Sequence, residues 1–339
     1  MLETHRRLYN TALEHRKAVY QQESRYVSYF EQCSVLKRWR SENSYLANTN
    51  QSSCQATLRR LDGSFQSFVR RVRKGENPGY PRFKSVRRYD SFTYPFYGNG
   101  CKIRRDRLYL QCIGEVKIKL HRPIEGKIKT VTIKKQADGW HACFACEVEP
   151  KTLPVSDECV GVDLGLESFA ITSDGEFFPS PKYMKKAEKN IRRLDRQMQR
   201  RKKGSNRRKK AAKQLAKAYL HVADQRKDTA HKIARSLVGR YGVIAVEDLR
   251  ISNMVKNHHL AGAIHDAGWS IFLNILSSKA EEAGRQVIKV DPRNTSQLCS
   301  RCGAMVKKPL SQRWHTCPEC GFSIHRDVNA AINILKRAA

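Results

Sequence analysis

Two pairs of cysteines near the C-terminus place the strongest constraint on the fold of this 339-residue chain. Each pair has the spacing C-x-x-C, and fourteen residues separate the pairs, which are formed by Cys299, Cys302, Cys317 and Cys320. This is the spacing of a four-cysteine zinc ribbon, in which two short knuckles supply four thiolates to one tetrahedral Zn²⁺. Gly303 and Gly321 directly follow the pairs and suit the tight turns that such knuckles need.

Four thiolates complete the coordination of zinc, so the sequence predicts a structural rather than a catalytic ion. Binding of the ion would contribute on the order of 10 kcal/mol to folding a segment that has almost no core of its own. His315 and His325 lie close to the cysteines in the sequence. Because the ligand set is already full, we expect surface or helix-capping roles for both histidines.

A further C-x-x-C pair, Cys143 and Cys146, lies in a stretch that alternates polar and apolar residues. Positions three apart on a strand point to opposite faces of a sheet, so these two side chains are predicted to be structural. The cysteine total of eleven is odd, and the start of the chain does not resemble a signal peptide. Both features favour a reducing compartment, and we expect a cytoplasmic, nucleoid-associated protein.

The net charge of +33 indicates a polyanionic partner, since a charge of this size repels itself in a compact fold. Nucleic acid is the first candidate and an anionic membrane surface is the second. The sequence has no run of 18 apolar residues, which argues against a membrane partner.

The apolar pattern predicts a mixed α/β chain. Helical periodicity covers most of the first 73 residues, and the turn-rich stretch 74–85 follows. Several short alternating runs before residue 150 predict a small β-barrel or sandwich. Beyond residue 158, buried strands alternate with helices, and the stretch 185–239 predicts two long basic helices joined at "RKKGSNRRKK".

Three carboxylates, Asp163, Glu247 and Asp327, each lie at the end of an apolar element. Taken singly, they have ordinary explanations as a turn residue, a strand-end acid and an acid in the first turn of a helix. Together they predict a site of concentrated negative charge in a very basic chain. Carboxylate oxygens are the ligands that Mg²⁺ prefers, with Mn²⁺ as a substitute, and two such ions can support phosphodiester cleavage.

Five motifs occur in this order along the chain: "GVDLGLESFAITSDG", "VEDLRISNM", "DPRNTSQLCSRCG", "CPECG" and "HRDVNAAINI". In this set and order the sequence resembles the TnpB nucleases of insertion sequences, which are RNA-guided DNA endonucleases related to the type V CRISPR effectors. The resemblance to this family extends from about residue 5 to residue 337. The resemblance implies a guide RNA transcribed from the transposon end and a double-stranded DNA target as partners.

The resemblance also implies an RNase H-like (RuvC) nuclease fold with Asp163, Glu247 and Asp327 as its active-site acids. The implied domains are a helical recognition domain (1–74), a wedge-type β-barrel that binds nucleic acid (75–152), a nuclease core with the basic hairpin (153–298), a zinc ribbon (299–320) and a final nuclease segment with the C-terminal helix (321–339). Family members usually have a wedge strand before the first helix. This sequence begins almost directly at "HRRLYNTALEHR", so either the true start lies upstream or the protein is a natural truncation that lacks a barrel strand. In the second case an unpaired edge would weaken the barrel.

Two alternatives stay open at this stage. One is a catalytically silent nucleic-acid-binding regulator, against which the three retained acids argue. The other is an accessory protein of transposition, or a transposase that joins DNA ends. The oligomeric state is left open by the sequence.

Overall fold

Two units, Met1–Glu149 and Pro150–Ala339, make up the computed structural model, which describes residues 1–150, 152–309 and 311–339. The two compact units give one boundary in the chain, near residue 150. The five domains that the resemblance implies stay a prediction. Among the described residues, no helix is long and apolar enough to cross a membrane.

The first unit begins with helices, as the periodicity predicts. They are α1 (Leu2–Glu23), α2 (Tyr29–Glu42), α3 (Ser44–Ala47) and α4 (Gln51–Arg73). Ser28 and Asn50 cap the starts of α2 and α4 by accepting backbone N–H groups. The apolar side chains of these helices form a shared core, in which Tyr9, Leu13 and Leu61 are almost fully buried.

Short antiparallel strands follow in the same unit. They are β1 (Ser91–Tyr94), β2 (Cys101–Arg104), β3 (Arg107–Leu110), β4 (Gly114–Lys117), β5 (Lys127–Lys135) and β6 (Trp140–Glu147). Among the described strands, β1-β5-β6 and β2-β3-β4 form separate sheets that share one apolar cluster. The short strands that the alternation predicts are therefore present, and the wedge-type barrel assigned to 75–152 stays a prediction. Cys143 and Cys146 both lie on β6, where Cys143 is exposed.

A mixed sheet forms the centre of the second unit, in the order β11-β10-β7-β8-β9. Its strands are β7 (Cys159–Asp163), β8 (Ser168–Thr172), β9 (Phe177–Pro179), β10 (Val243–Glu247) and β11 (Gln286–Val290). The first three form an antiparallel meander, whereas β10 and β11 run parallel to β7. The carboxyl ends of β7 and β10 therefore meet at one edge of the sheet.

Helices cover both faces of this sheet. They are α5 (Tyr183–Gln199), α6 (Asn206–Arg240), α7 (Ile251–Met254), α8 (His258–Ala267), α9 (Trp269–Glu282) and α10 (Arg326–Ala338). Side chains of α6 and α9 pack against Ile244 and Val246 on one face. On the other face, Ala245 contacts Ile334 of α10. The predicted basic hairpin 185–239 is confirmed as α5 and α6.

Helix α10 crosses β7 at very short range because residue 161 is a glycine. A Cβ atom at Gly161 would lie 1.9 Å from the carbonyl oxygen of Ala331. Between β11 and α10 the chain forms a small hairpin of β12 (Trp314–Thr316) and β13 (Ser323–His325), which pair antiparallel. The predicted ribbon segment therefore leads directly into α10.

Candidate functional site

The four predicted cysteine ligands converge in the second unit. Their sulfur atoms all lie within 4.8 Å of one another. The Sγ atoms of Cys299 and Cys320 are 3.7 Å apart, and those of Cys302 and Cys317 are 3.5 Å apart. A tetrahedron with Zn–S bonds of about 2.3 Å has sulfur–sulfur edges of about 3.8 Å, so the cluster has the size that zinc requires.

Glycine turns bring the sulfurs together. Gly303 and Gly321 both have positive φ, at 80° and 66°. Their N–H groups donate to the carbonyl oxygens of Cys299 and Cys317, at 2.9 and 3.0 Å. Burial opposes ionisation of Cys299, but nearby backbone N–H groups and His315 outweigh it and lower the pKa of this thiol to about 6.

The two histidines near the cysteines have different outcomes. His325 precedes α10, and its Nδ1 accepts the N–H of Asp327 at 3.3 Å, which confirms the capping role. His315 is fully buried, so the expectation of a surface position is wrong for it. The reason is the alternation of β12, which points Trp314 and Thr316 outward and turns His315 inward, towards Cys299.

The three predicted acids approach one another at the edge of the sheet. Asp163 and Glu247 end the neighbouring parallel strands β7 and β10, in which Val162 lies opposite Val246. Asp327 lies in the first turn of α10, which packs on these strands. Burial, the charge of Glu247 and the charge of Asp327, in this order, raise the pKa of Asp163 well above its ordinary value.

Each of the other two acids also has a polar partner. The Thr295 hydroxyl donates to Glu247 at 2.6 Å. The Nε of Arg326 donates to Asp327 at 2.9 Å, and a guanidinium nitrogen of Arg313 lies 3.6 Å from the other oxygen of Asp327. Arg313 also pairs with Glu167, which follows β7. Thr295 lies within the motif "DPRNTSQLCSRCG" but was not singled out as a site residue, and Arg313 lies outside the motifs quoted above.

Within the described ranges, the four ribbon cysteines are the side chains whose metal-ligating atoms lie close enough together to share one ion. The carboxylates are less tightly gathered, since Asp327 is held by Arg326 and Arg313. They nevertheless fit a divalent cation, because Asp163 lies in a desolvated position where two further carboxylates disfavour its charged form. A bound cation removes this repulsion, and the donor set consists of the oxygen ligands that Mg²⁺ accepts.

A short segment links the cysteine cluster with the carboxylates. Asn333 of α10 donates to the carbonyl oxygens of Thr295 and Leu298, at 2.8 and 2.7 Å. Asn329 accepts the N–H of Ser300 at 2.8 Å and donates to Leu298 at 2.7 Å. The same segment carries the Thr295 hydroxyl that binds Glu247 and leads into Cys299. Helix α10 therefore positions Asp327 and the entry to the ribbon together.

Comparisons with known proteins give a consistent result. Residues 143–258 match the OrfB_IS605 family model, described as "Probable transposase", and residues 269–334 match the model of the Cas12f1-like TNB domain. The chain is 33% identical over 338 residues to the "Putative RNA-guided DNA endonuclease" of Streptomyces pristinaespiralis, covering 97% of this chain and 82% of the relative. It is 30% identical over 350 residues to the "Putative RNA-guided DNA endonuclease InsQ" of Escherichia coli (strain K12), covering 97% and 85%.

A solved structure supports the fold. The protein in the "Cryo-EM structure of the Cas12f1-sgRNA-target DNA complex" matches with a TM-score of 0.60, over 98% of this chain and 80% of that one. At 13% sequence identity, this likeness supports the fold alone.

Proposed function

Because the chain belongs to the TnpB family of RNA-guided DNA endonucleases, we propose that it cuts double-stranded DNA that has paired with a bound guide RNA, beside a short flanking motif. The observation that carries this proposal is the meeting of Asp163, Glu247 and Asp327 at one edge of the β7–β10 sheet. A protein that only binds a polyanion gains nothing from three carboxylates at one place. Phosphodiester hydrolysis that depends on Mg²⁺, or on Mn²⁺ in its place, does require them.

We assign the three acids as the ligands of the divalent cation. When bound, Mg²⁺ supplies an activated water and stabilises the oxygen that leaves phosphorus. The Thr295 hydroxyl orients Glu247 at 2.6 Å. Arg326 and Arg313 neutralise Asp327, and Arg313, which is the more exposed of the two, can also meet the phosphate of a nucleic-acid strand. The order of the sheet, a meander of three strands followed by two parallel ones, supports the RNase H-like assignment.

The cysteine cluster is proposed to hold one structural Zn²⁺. Its four sulfurs lie within 4.8 Å of one another, and two of their separations, 3.7 and 3.5 Å, are close to the edge of a closed tetrahedral site. The segment from Thr295 to Ser300 joins this cluster to α10 and to Glu247. Zinc therefore supports the carboxylate site through the backbone and takes no part in the chemistry.

The remaining assignments follow the family. Specificity comes from base pairing between guide and target, while the protein holds the backbone and reads the flanking motif. We assign guide and target binding to the helical stretch 1–74 and the strands of 75–152, and the nuclease core to 153–298 with the final segment 321–339. The ribbon comprises 299–320.

The test uses the complex purified from cells that express the chain with its native flanking DNA. Plasmids that carry a guide-matched target beside randomised flanks are supplied with Mg²⁺. We expect cutting that depends on both the guide and one flank, and its loss in Asp163→Asn with guide and target binding retained. The matched control Asp157→Asn replaces an exposed acid just before β7 and should cut like the unchanged protein.

Binding of RNA and target without any cutting by the unchanged protein would overturn the proposed activity and leave a silent regulator. Cutting at the normal rate by Asp163→Asn would remove this acid from the site. Joined DNA ends among the products would instead indicate a transposase.

A further inference from the structure

Three aromatic rings lie together beside the candidate active site. Trp314 of β12 and His325 of β13 are direct cross-strand partners, with ring centroids 6.2 Å apart. Phe177 of β9 meets the His325 ring edge-on, at 5.1 Å. The cluster therefore connects the outer face of the ribbon hairpin with the outermost strand of the central sheet.

The two outer rings of this cluster are exposed to solvent, and the His325 ring between them is half-buried. Trp314 is 60% exposed and Phe177 is 45% exposed. If the cluster served only to hold the ribbon against the sheet, we would expect its largest side chain to be covered, since the burial of a tryptophan removes a large apolar area from water. The neighbouring position on the same strand shows the contrast, because His315 is fully buried. The hairpin thus presents the indole of Trp314 outward, with the His325 ring inclined at 67° to it.

The residues around the cluster suit the binding of a nucleic-acid strand. His325 caps α10 and is followed by Arg326 and Asp327, so the rings are only two residues from a proposed metal ligand. Arg313 directly precedes Trp314 and reaches towards Asp327. An exposed aromatic ring next to the guanidinium of Arg313 can take a base by stacking while the cation attracts its phosphate.

Building on the proposed nuclease function, we propose that Trp314, His325 and Phe177 form a stacking platform for unpaired bases of the DNA strand that is cut. Bases in a duplex are already stacked on both faces, so a platform of this kind accepts a base only after its strand has left the duplex. Trp314 is then a positioning residue. It holds the nucleotides next to the scissile phosphate and leaves the chemistry to the carboxylates.

The test measures binding of single-stranded DNA by the complex of the full chain with its guide RNA, without Mg²⁺ so that no cleavage occurs. The probes are a short oligothymidylate and an abasic oligonucleotide of the same length, which has phosphates but no bases. We expect Trp314→Leu to weaken oligothymidylate binding about 10-fold or more and Trp314→Phe to restore it. Binding of the abasic probe should be the same for all variants.

Matched variants separate stacking from structure. Thr316→Ala removes the other exposed side chain of β12 and should leave oligothymidylate binding unchanged. Phe177→Leu alters the platform from the sheet side and should weaken binding in the same direction as Trp314→Leu. The fluorescence of the unchanged protein should be quenched by oligothymidylate, and Trp314→Phe should remove this quenching.

Equal oligothymidylate affinity in Trp314→Leu and the unchanged protein would overturn the platform, as would an equal loss of affinity for the abasic probe. Because this assay needs no cleavage, its outcome is independent of the plasmid assay with Asp163→Asn. A protein that cuts guided targets but shows no stacking at Trp314 would retain the proposed function without the platform.

Discussion

At the scale of single residues, the site combines side chains that look unremarkable in the sequence. Asp163, Glu247 and Asp327 each have an ordinary explanation, and they gain significance through their neighbours in space. Arg313 is the clearest example, since it precedes a three-residue strand, yet it lies near both Glu167 and Asp327. Its role depends on the path of the ribbon and not on a local pattern.

His5 makes the stability of the first unit dependent on pH. Its ring is buried, lies within hydrogen-bond distance of the hydroxyls of Thr57 and Ser53, and stacks on Phe92 with centroids 5.2 Å apart. Burial, followed by the positive N-terminus and Arg60, lowers the pKa of His5 to about 3. The unfolded chain takes up a proton below about pH 6.5 and the folded chain does not, so stability falls as the pH falls from 6.5 towards 3.

Protonation of His5 in the unfolded chain should lower the free energy of unfolding by roughly 2–3 kcal/mol as the pH falls from 6.5 to 4.5. Chemical denaturation at a series of pH values measures the loss. His5→Gln cannot titrate and should show a shallower decline over this range, even if it is less stable at neutral pH. His121→Gln replaces an exposed histidine of the same unit and should keep the original profile. Parallel profiles for His5→Gln and the unchanged protein would contradict the prediction.

At the scale of elements, α10 decides the geometry of the site. It carries Asp327, it holds the segment 295–300 through Asn329 and Asn333, and it lies directly on β7 at Gly161. The ribbon hairpin shows the same principle on a smaller scale. The alternation of β12 turns one histidine towards the cysteines and leaves Trp314 on the surface.

Substitution of Gly161 should displace α10. In Gly161→Ala the new Cβ would meet the Ala331 carbonyl at 1.9 Å, a backbone atom that cannot move aside alone. Overpacking of this kind typically costs about 1–3 kcal/mol, and we expect the upper end of this range together with slower cleavage, because Asp327 moves with the helix. Thermal unfolding and single-turnover cleavage measure the two effects.

Gly239→Ala is the matched control, since a Cβ at this exposed helical position meets nothing within 4 Å. It should be neutral or stabilising by up to about 1 kcal/mol, because alanine favours a helix. Equal behaviour of the two variants would show that α10 tolerates a larger separation from β7.

Loss of one zinc ligand should act on the active site through the ribbon. Cys317→Ser breaks the closed set of four sulfurs, so we expect loss of bound zinc, rapid proteolysis within 299–320 and strongly reduced cleavage. Metal analysis, limited proteolysis and the plasmid assay measure these changes. Cys143→Ser replaces an exposed cysteine of β6 and should change neither the bound zinc, nor the proteolysis, nor the cleavage. Normal cleavage by a zinc-free Cys317→Ser protein would show that the ribbon is dispensable.

At the scale of the whole molecule, charge dominates. The net charge of +33 is spread over both units, and the α5–α6 joint adds four consecutive exposed cations, Arg200, Arg201, Lys202 and Lys203. Among the described strands of the first unit, two small sheets share one apolar core.

Affinity of the guide-free chain for duplex DNA should decrease steeply with salt, since each neutralised phosphate releases counterions. With six to ten phosphate contacts, we expect a loss of about 10³- to 10⁵-fold between 50 and 200 mM salt. Neutralising the four cations of the α5–α6 joint to glutamine should reduce the slope by roughly one unit for each phosphate contact that is lost. A flat response to salt would contradict the charge argument.

The sequence by itself determined the features that depend on local spacing. Short stretches of sequence were enough to predict the cysteine pairs, the glycine turns, the basic helices of 185–239 and the strands β7 and β10. Such patterns reflect the fixed periods of helices and strands, so they can be recognised before any tertiary contact is known.

Only the tertiary structure decided which distant side chains meet. It brought Asp163, Glu247 and Asp327 to one edge, placed Thr295 and Arg313 against two of them, and joined two small sheets of the first unit through one apolar cluster. It also turned His315 inward and left Trp314 exposed. These outcomes depend on how a parallel sheet, a helix and a hairpin pack together, and no local period in the sequence encodes that arrangement.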